Sequence, residues 1–390
     1  MIGLNAQDSA IYLAIKSVKD KSKKLDPYLF ETSAVAIDSR VSTIDPITYG
    51  RTRNFVDGAV TYISPYISRG VISTKQVLTK LLEQGHAPKQ IEKFIQELTW
   101  RDYWQQVWST KGDAIDVDLK NPQTEVTNQG IPEAITMGQT GIEAIDKAIE
   151  TFYRTGYLHN HVRMYIASIA CNVAKSHWNA PAKWMYYHLL DGDWASNALS
   201  WQWVAGTNSN KKYYANQDNI NKYCHTKQQD TFLDLSYEEL PKMAVPSRLS
   251  HTIDMKLTTN LPESTPIVID TTLPSLIYNF YNLDPNWKKG VLANRILLLE
   301  PSHFKKYPIS EKSIRFMLDL GENIEGLQVF VGEFQDLMAQ YHLEKTYYKE
   351  HPTNQHYKGI QEPRDWMFTV EGYYPSFFAF WKKCKKELVW

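Results

Sequence analysis

The spacing of apolar residues changes once along this 390-residue chain, and the change demands two different kinds of packing. Up to about residue 230, apolar positions recur three and four residues apart in SPYISRGVISTKQVLTKLLEQG, KQIEKFIQELTWRDYWQQVW, GIEAIDKAIETFYRTG and LHNHVRMYIASIACNVAKSHW. That is the spacing of a helix with one buried face. Past residue 266 the runs PIVIDTT, RILLLEP and LQVFVGE are short, nearly continuous and apolar, and they alternate with helical stretches such as SEKSIRFMLDLG and FQDLMAQYH. Such alternation predicts a parallel sheet covered by helices. Between the two lies EELPKMAVPSRLSHTIDMKLTTNLPESTP, punctuated by Pro and Ser and without period. The expectation is a mostly α chain: an all-helical domain over 1–230, a linker over 231–265 and a smaller α/β domain over 266–390.

Local signals agree with the helical half. Ser73 can cap the helix carrying Val77 and Leu81, Gly85 can end it and Pro88 can open the next. From Lys111 to Gly141 the period fades into Asn, Pro, Gln, Thr and Gly, which predicts a long surface connection. No GxGxxG follows the strand-like runs, so no dinucleotide fingerprint is present there.

Charge and cysteine content narrow the function classes. With 43 basic and 43 acidic residues, any nucleic-acid surface has to be a local patch. Lys211, Lys212 and Lys222 form a short basic cluster, usually only a solvated face. Cys171, Cys224 and Cys384 are far apart and too few for a four-cysteine iron–sulfur cluster, and they point to a reducing compartment. The first twenty residues lack the layout of a leader, and no apolar run is long enough to span a bilayer. A monomeric, soluble, cytoplasmic protein with no membrane partner is expected.

The stretch DGDWASNALSWQW, Asp191 to Trp203, is where chemistry concentrates. Read as a helix from Asp193 to Val204, it places Asp193, Asn197 and Trp201 on one face. Trp201 and Trp203 point roughly 200° apart at about 100° per residue, so one ring is expected at a buried cofactor and the other in a different cavity. Upstream, His159 and Arg163 share a face and Asn160 and Met164 form the adjacent pair. Arg163 has Asp191 or Asp193 as its plausible partner, and a buried pair of that kind is costly without further hydrogen bonds. Taken singly, each of these residues is more often structural than catalytic. His159 and His161 are two apart, without HExxH spacing, and the chain has no P-loop or nucleophile elbow, so metal is set aside. The residues themselves reach as far as a polar, Trp-lined interior suited to a large aromatic cofactor.

SPYISRGVIS, FIQELTWRDYW, GYLHNHVRMYIASIACNVAKSHW and WMYYHLLDGDWASNALSWQWVAGT, in that order, resemble the flavin-binding domain of the DNA photolyase and cryptochrome family over roughly residues 45 to 230. The resemblance implies an all-helical, photolyase-type domain holding FAD folded into a U. By matching position, Tyr49, Thr61, Ser64 and Arg101 would hold the diphosphate and ribitol. Arg163 and Asp191 would pair beside the isoalloxazine, with Asn160 nearby, Asp193 would bond its polar edge, and Asn197 would sit at the redox-active ring nitrogen. Trp201 and Trp178 match the inner two members of the family's electron-transfer chain. The region NPQTEVTNQG, where a third member is usual, has no tryptophan, and Trp184 or a tyrosine is the substitute considered.

The substrate positions discriminate within the family. Glu97, Trp100, Asn160, Met164 and Trp203 match the set that photolyases present to a cyclobutane pyrimidine dimer, whereas six-four photolyases carry histidines at the places of Asn160 and Met164. The resemblance therefore implies a light-driven deoxyribodipyrimidine photolyase, with damaged DNA as partner and with Glu97, Asn197, Trp201 and Trp178 in catalytic roles. The alternative is a cryptochrome-like blue-light photoreceptor without repair activity. The family places its α/β antenna domain first. Here the Rossmann-like α/β region comes last, and RILLLEPSHFKKYPISEKSIRFMLDLG resembles a permuted antenna domain whose chromophore is not legible.

Overall fold

The structure is a computed structural model describing residues 30–388; the opening residues 1–29 of the expected 1–230 domain lie outside them. The principal helices of the first half are α1 (Ala34–Ser42), α2 (Pro46–Thr52), α3 (Ser64–Ser68), α4 (Thr74–Glu83), α5 (Glu92–Lys111), α6 (Glu143–Thr155), α7 (Asn160–Ser168), α8 (Asn179–His188), α9 (Trp194–Ala205) and α10 (Gln217–Cys224). Ser73 caps α4 in a reciprocal box with Gln76. Pro88 does not open α5; it lies in the turn before it, and the helix begins at Glu92.

Helix α5 is central and carries more than an apolar stripe. Asp102, Gln105 and Gln106 are buried on it among Phe94, Ile95, Leu98, Val107 and Trp108. The Asp102 carboxylate accepts from the Thr74 hydroxyl at 3.0 Å and from the Met367 amide at 3.1 Å. Burial nevertheless raises its pKa from the ordinary carboxylate value to about 6. A raised folded-state pKa stabilises the fold fully below pH 3.8, and that stability is lost as pH rises through about 6. Buried histidines act oppositely: desolvation lowers His188 and His303 to about 3, so their stability is present above the usual histidine range and lost on acidification. Asp102→Asn should therefore gain on the wild type by up to about 3 kcal/mol as pH rises from 4 to 7. Urea denaturation at both pH values checks this, and a constant difference would refute it.

Segment 231–265 is laid along the helical layer rather than hanging between two bodies. Leu233, Leu240 and Leu249 are buried in the core, and the Tyr187 hydroxyl donates to the Thr258 carbonyl at 3.1 Å. Strand β2 (Thr252–Ile253) pairs antiparallel with β1 (Ile131–Pro132).

The second half folds into a five-stranded, fully parallel sheet of β3 (Ser275–Tyr278), β4 (Asn294–Leu299), β5 (Leu327–Val331), β6 (Thr346–Lys349) and β7 (Ile360–Glu362), in the order β5-β4-β3-β6-β7. Helices α11 (Pro301–Lys306), α12 (Glu311–Gly321) and α13 (Phe334–Tyr341) connect its strands. The run PIVIDTT is not one of those strands. Val268 binds the Gln328 side chain through both its N–H and its carbonyl, each at 2.7 Å, so a side chain takes the place of a ladder partner. The first strand is SLIY instead, fully buried.

The strand order reverses beside β3, and the crevice at the carboxyl ends of β3 and β6 is where such sheets bind ligands. Here it faces the helical layer. Tyr281 stacks on His351 with centroids 4.2 Å apart, and Trp108 of α5 meets His351 edge-on at 5.0 Å. A cavity of about 130 Å³ is left there. Arg69, after α3, is buried over the Phe280 ring at 3.4 Å and donates to the Gly192 carbonyl. At Gly70 (φ +64°) an added Cβ would lie 2.3 Å from the Tyr281 carbonyl oxygen, so the close approach of the two layers requires glycine. Helix α14 (Phe377–Cys384) returns to pack on α5.

Candidate functional site

One cavity of about 450 Å³ opens between α2, α3, α5, α7 and α9. The loop Leu189–Asp193 contributes its acids because α9 needs a cap: Asp193 is the N-cap, accepting from the Ser196 amide at 3.4 Å and its hydroxyl at 3.1 Å. The second Asp193 interaction is an ion pair with Arg101 at 3.0 Å, and Gln105 donates to Oδ1 at 2.7 Å. Arg101 also donates to the Ser68 hydroxyl at 3.0 Å.

Asp191 is the hub of the opposite wall. Arg163 reaches its two oxygens at 3.0 and 2.8 Å while Nε donates to the Leu158 carbonyl. Ser64 donates to Asp191 at 2.7 Å, and the Asp191 carbonyl accepts from Ser68. The further hydrogen bonds that a buried pair needs thus come from the protein itself. Asn197 donates its amide N–H to the Ala182 carbonyl at 2.8 Å, which leaves the amide oxygen as the cavity-side acceptor.

At the mouth, Oε1 of Glu97 takes both Arg53 and Lys93 at 3.1 Å. Burial, with His161 and Arg163 adding to it, lowers His159 to about 4, so its ring is neutral near pH 7; its Nδ1 caps α7. Trp100 stacks face to face on Phe377 of α14 at 3.8 Å and 9°. Phe377 does not border the cavity, so it backs the ring from the far side.

Of the residues matched by position to flavin, substrate and inner electron-transfer roles, all but Trp178 border this cavity: Tyr49, Thr61, Ser64, Glu97, Trp100, Arg101, Asn160, Arg163, Met164, Asp191, Asp193, Asn197, Trp201 and Trp203. Trp201 and Trp203 do not serve two different cavities. The cavity is deep enough that buried Trp201 and Trp203, 37% exposed, border it at different depths. Trp178 is wholly buried, and its indole N–H donates to Asp118 at 2.7 Å. Among the described residues its aromatic neighbour is His177 at 5.8 Å. Trp184 instead sits with Phe152 and Tyr153, its N–H on the Tyr153 hydroxyl. Lys212 is tied to Glu125 at 2.7 Å and to the Thr124 carbonyl, which removes it from the basic cluster.

Three residues escaped sequence reasoning. Asp116 and Asp118 receive the indole N–H groups of Trp194 and Trp178 at 2.6 and 2.7 Å. They lie in the stretch where the helical period fades, and acids in a polar loop look solvated. Phe377 lies far along the chain, and no local signal pairs it with Trp100.

Fold and cavity define the class: a helical cofactor-binding layer joined to a parallel α/β sheet. Residues 94–277 match the family model described as the FAD binding domain of DNA photolyase. Tyr49, Thr61 and Ser64 lie before the matched residues. A deoxyribodipyrimidine photo-lyase of Streptomyces griseus is 31% identical over 156 residues, 40% of this chain and 34% of the relative. One of Agrobacterium fabrum is 31% identical over 154 residues, 38% and 32% of the two chains. The chain thus spans about a third of the length of these curated relatives. A solved Synechocystis cryptochrome matches with a TM-score of 0.43 at 25% identity, covering 53% of this chain and 48% of that one.

The donor set suits FAD. Arg101 retains donors beyond its two partners for a diphosphate, Asn197 offers an acceptor to a ring N–H, and Ile67, Leu98, Ala167 and Met185 supply apolar wall. Among the described residues no group of three His, Cys, Asp or Glu is placed to hold a metal, and no helix is long and apolar enough to cross a membrane.

Proposed function

We propose that the protein is a deoxyribodipyrimidine photolyase, repairing cyclobutane pyrimidine dimers in DNA with FAD and blue light. The observation that carries this reading is that one cavity is bordered by both the polar set Arg101, Arg163, Asp191, Asp193 and Asn197 and the mouth set Glu97, Trp100, Asn160, Met164 and Trp203. Bound there, FAD would supply a light-excited electron to the dimer. The chain's own residues do the rest. Arg101, with Tyr49, Thr61 and Ser64, would hold the diphosphate and ribitol side. Asn197 would accept from the ring N–H at its amide oxygen. Glu97, with Oε1 taken by two cations, presents Oε2 as an acceptor for a pyrimidine N–H. Trp100 and Trp203 lie against the faces of the flipped bases while Met164 fills the apolar gap and excludes water. Asp118 accepts a hydrogen bond from the Trp178 indole N–H.

The test is loss of one thymine dimer from a synthetic oligonucleotide under blue light with reduced holoprotein, beside a dark control. Light-dependent recovery of intact thymines is expected. Trp203→Ala should keep its flavin yet bind the dimer roughly tenfold more weakly, the scale of one base–ring stack. Unchanged affinity would remove Trp203 from the site. A second reading, a blue-light photoreceptor, is favoured by the isolation of Trp178, which among the described residues has no further tryptophan or tyrosine ring against it. Bound, photoreducible flavin without dimer loss would put that reading first.

A further inference from the structure

We propose that helix α14 is a second nucleic-acid contact, a base-stacking and phosphate-binding face that extends the cavity mouth; this rests on the proposed action on DNA. The helix has two unlike faces. Phe377, Phe380, Trp381 and Cys384, at intervals of three and four, are buried; Phe377 stacks on Trp100, and Phe380 lies 5.7 Å from Tyr103. On the other side Phe378 is 69% exposed, and Lys382 follows it by one turn on the same face.

The position of Phe378 matters more than its exposure. Its ring meets Phe377 at 5.4 Å, and Phe377 is the ring backing Trp100, so Phe378 stands two ring contacts from the cavity wall. The approach to it is held by the helical layer: Lys120 binds the Pro375 carbonyl at 2.9 Å, and Lys111 sits 4.2 Å over the Tyr373 ring. An exposed ring on a fixed element loses little freedom when a base stacks on it.

The charge beside it is mainly positive. Lys382, Lys383 and Lys386 are exposed, with no ion pair recorded among the described residues. The neighbouring acid Glu387 is already engaged by the Thr369 amide and hydroxyl at 2.9 and 2.7 Å, and Lys385 is paired with Glu92 at 2.8 Å. In a chain of zero net charge this is a local cationic patch next to an aromatic platform, the combination that single strands bind. The occupant is the DNA strand flanking the pyrimidine dimer drawn into the cavity, one base on Phe378 and its phosphates on the lysines.

The test is fluorescence anisotropy of a labelled single-stranded oligonucleotide carrying one thymine dimer against flavin-loaded full-length protein over a salt series. Phe378→Ala should weaken binding roughly tenfold with flavin content and thermal midpoint unchanged. The triple variant K382A/K383A/K386A should reduce the slope of log affinity against log salt by about 2. Normal affinity and salt slope in both variants, alongside a Trp203→Ala variant that binds weakly, would overturn the α14 face while leaving the functional reading intact. A wild-type protein that binds no oligonucleotide at low salt would overturn both.

Discussion

Arg163→Ala is expected to purify without flavin and to lose about 3 kcal/mol of stability. The two effects have one origin. Asp191 is 7% exposed, and among the described residues its carboxylate is held by Arg163 and Ser64. Deleting the guanidinium leaves a buried carboxylate with one hydroxyl, and breaking a buried pair from one side costs about 3–5 kcal/mol; the solvent access that Arg163 retains places this case at the low end. The same deletion frees the Leu158 carbonyl from Nε. The double variant R163M/D191L separates stability from binding. Replacing both charges with apolar groups should restore the apo-protein to within about 1 kcal/mol of wild type, yet it should still purify colourless. Flavin absorbance per mole of protein and urea denaturation of the apo-forms read the two quantities. Full flavin occupancy in R163A, or in the double variant, would show that the pair is structural and nothing more.

Arg69→Ala should cost about 3 kcal/mol by leaving a cavity at the junction of the two layers, while Arg69→Met should lie within about 1 kcal/mol of wild type. The difference follows from what the charge does there. Burial pulls the guanidinium down to about 10, and among the described residues its Nε and Nη1 have no hydrogen-bond partner. Against that stand the contact over Phe280 and the bond to Gly192. Methionine keeps most of the stem's packing without a cation to desolvate. A Met variant as unstable as the Ala variant would mean that the charge over Phe280, not the volume, joins the layers.

Local signals carried the helical half well. Ser73 announces its helix because a hydroxyl before Gln76 can close a reciprocal cap. Strand identity was harder, since PIVIDTT and TLPSLIY are equally apolar, and only the Gln328 side chain decides that the former stays outside the ladder. The cavity residues emerged from matched motifs, whereas helix geometry misassigned Trp203. A wheel gives direction but not the depth of the space it points into. The acceptors Asp116 and Asp118 and the backing ring Phe377 were illegible because each acts through a partner distant in sequence.

That last contact has a meaning in time. During synthesis the helices carrying Trp100, Asn197 and Trp203 leave the ribosome well before residues 377–384, and nascent chains fold from the front. Trp100 therefore waits with one face bare until Phe377 arrives to back it. The backing of the Trp100 wall is complete only once translation has passed α14.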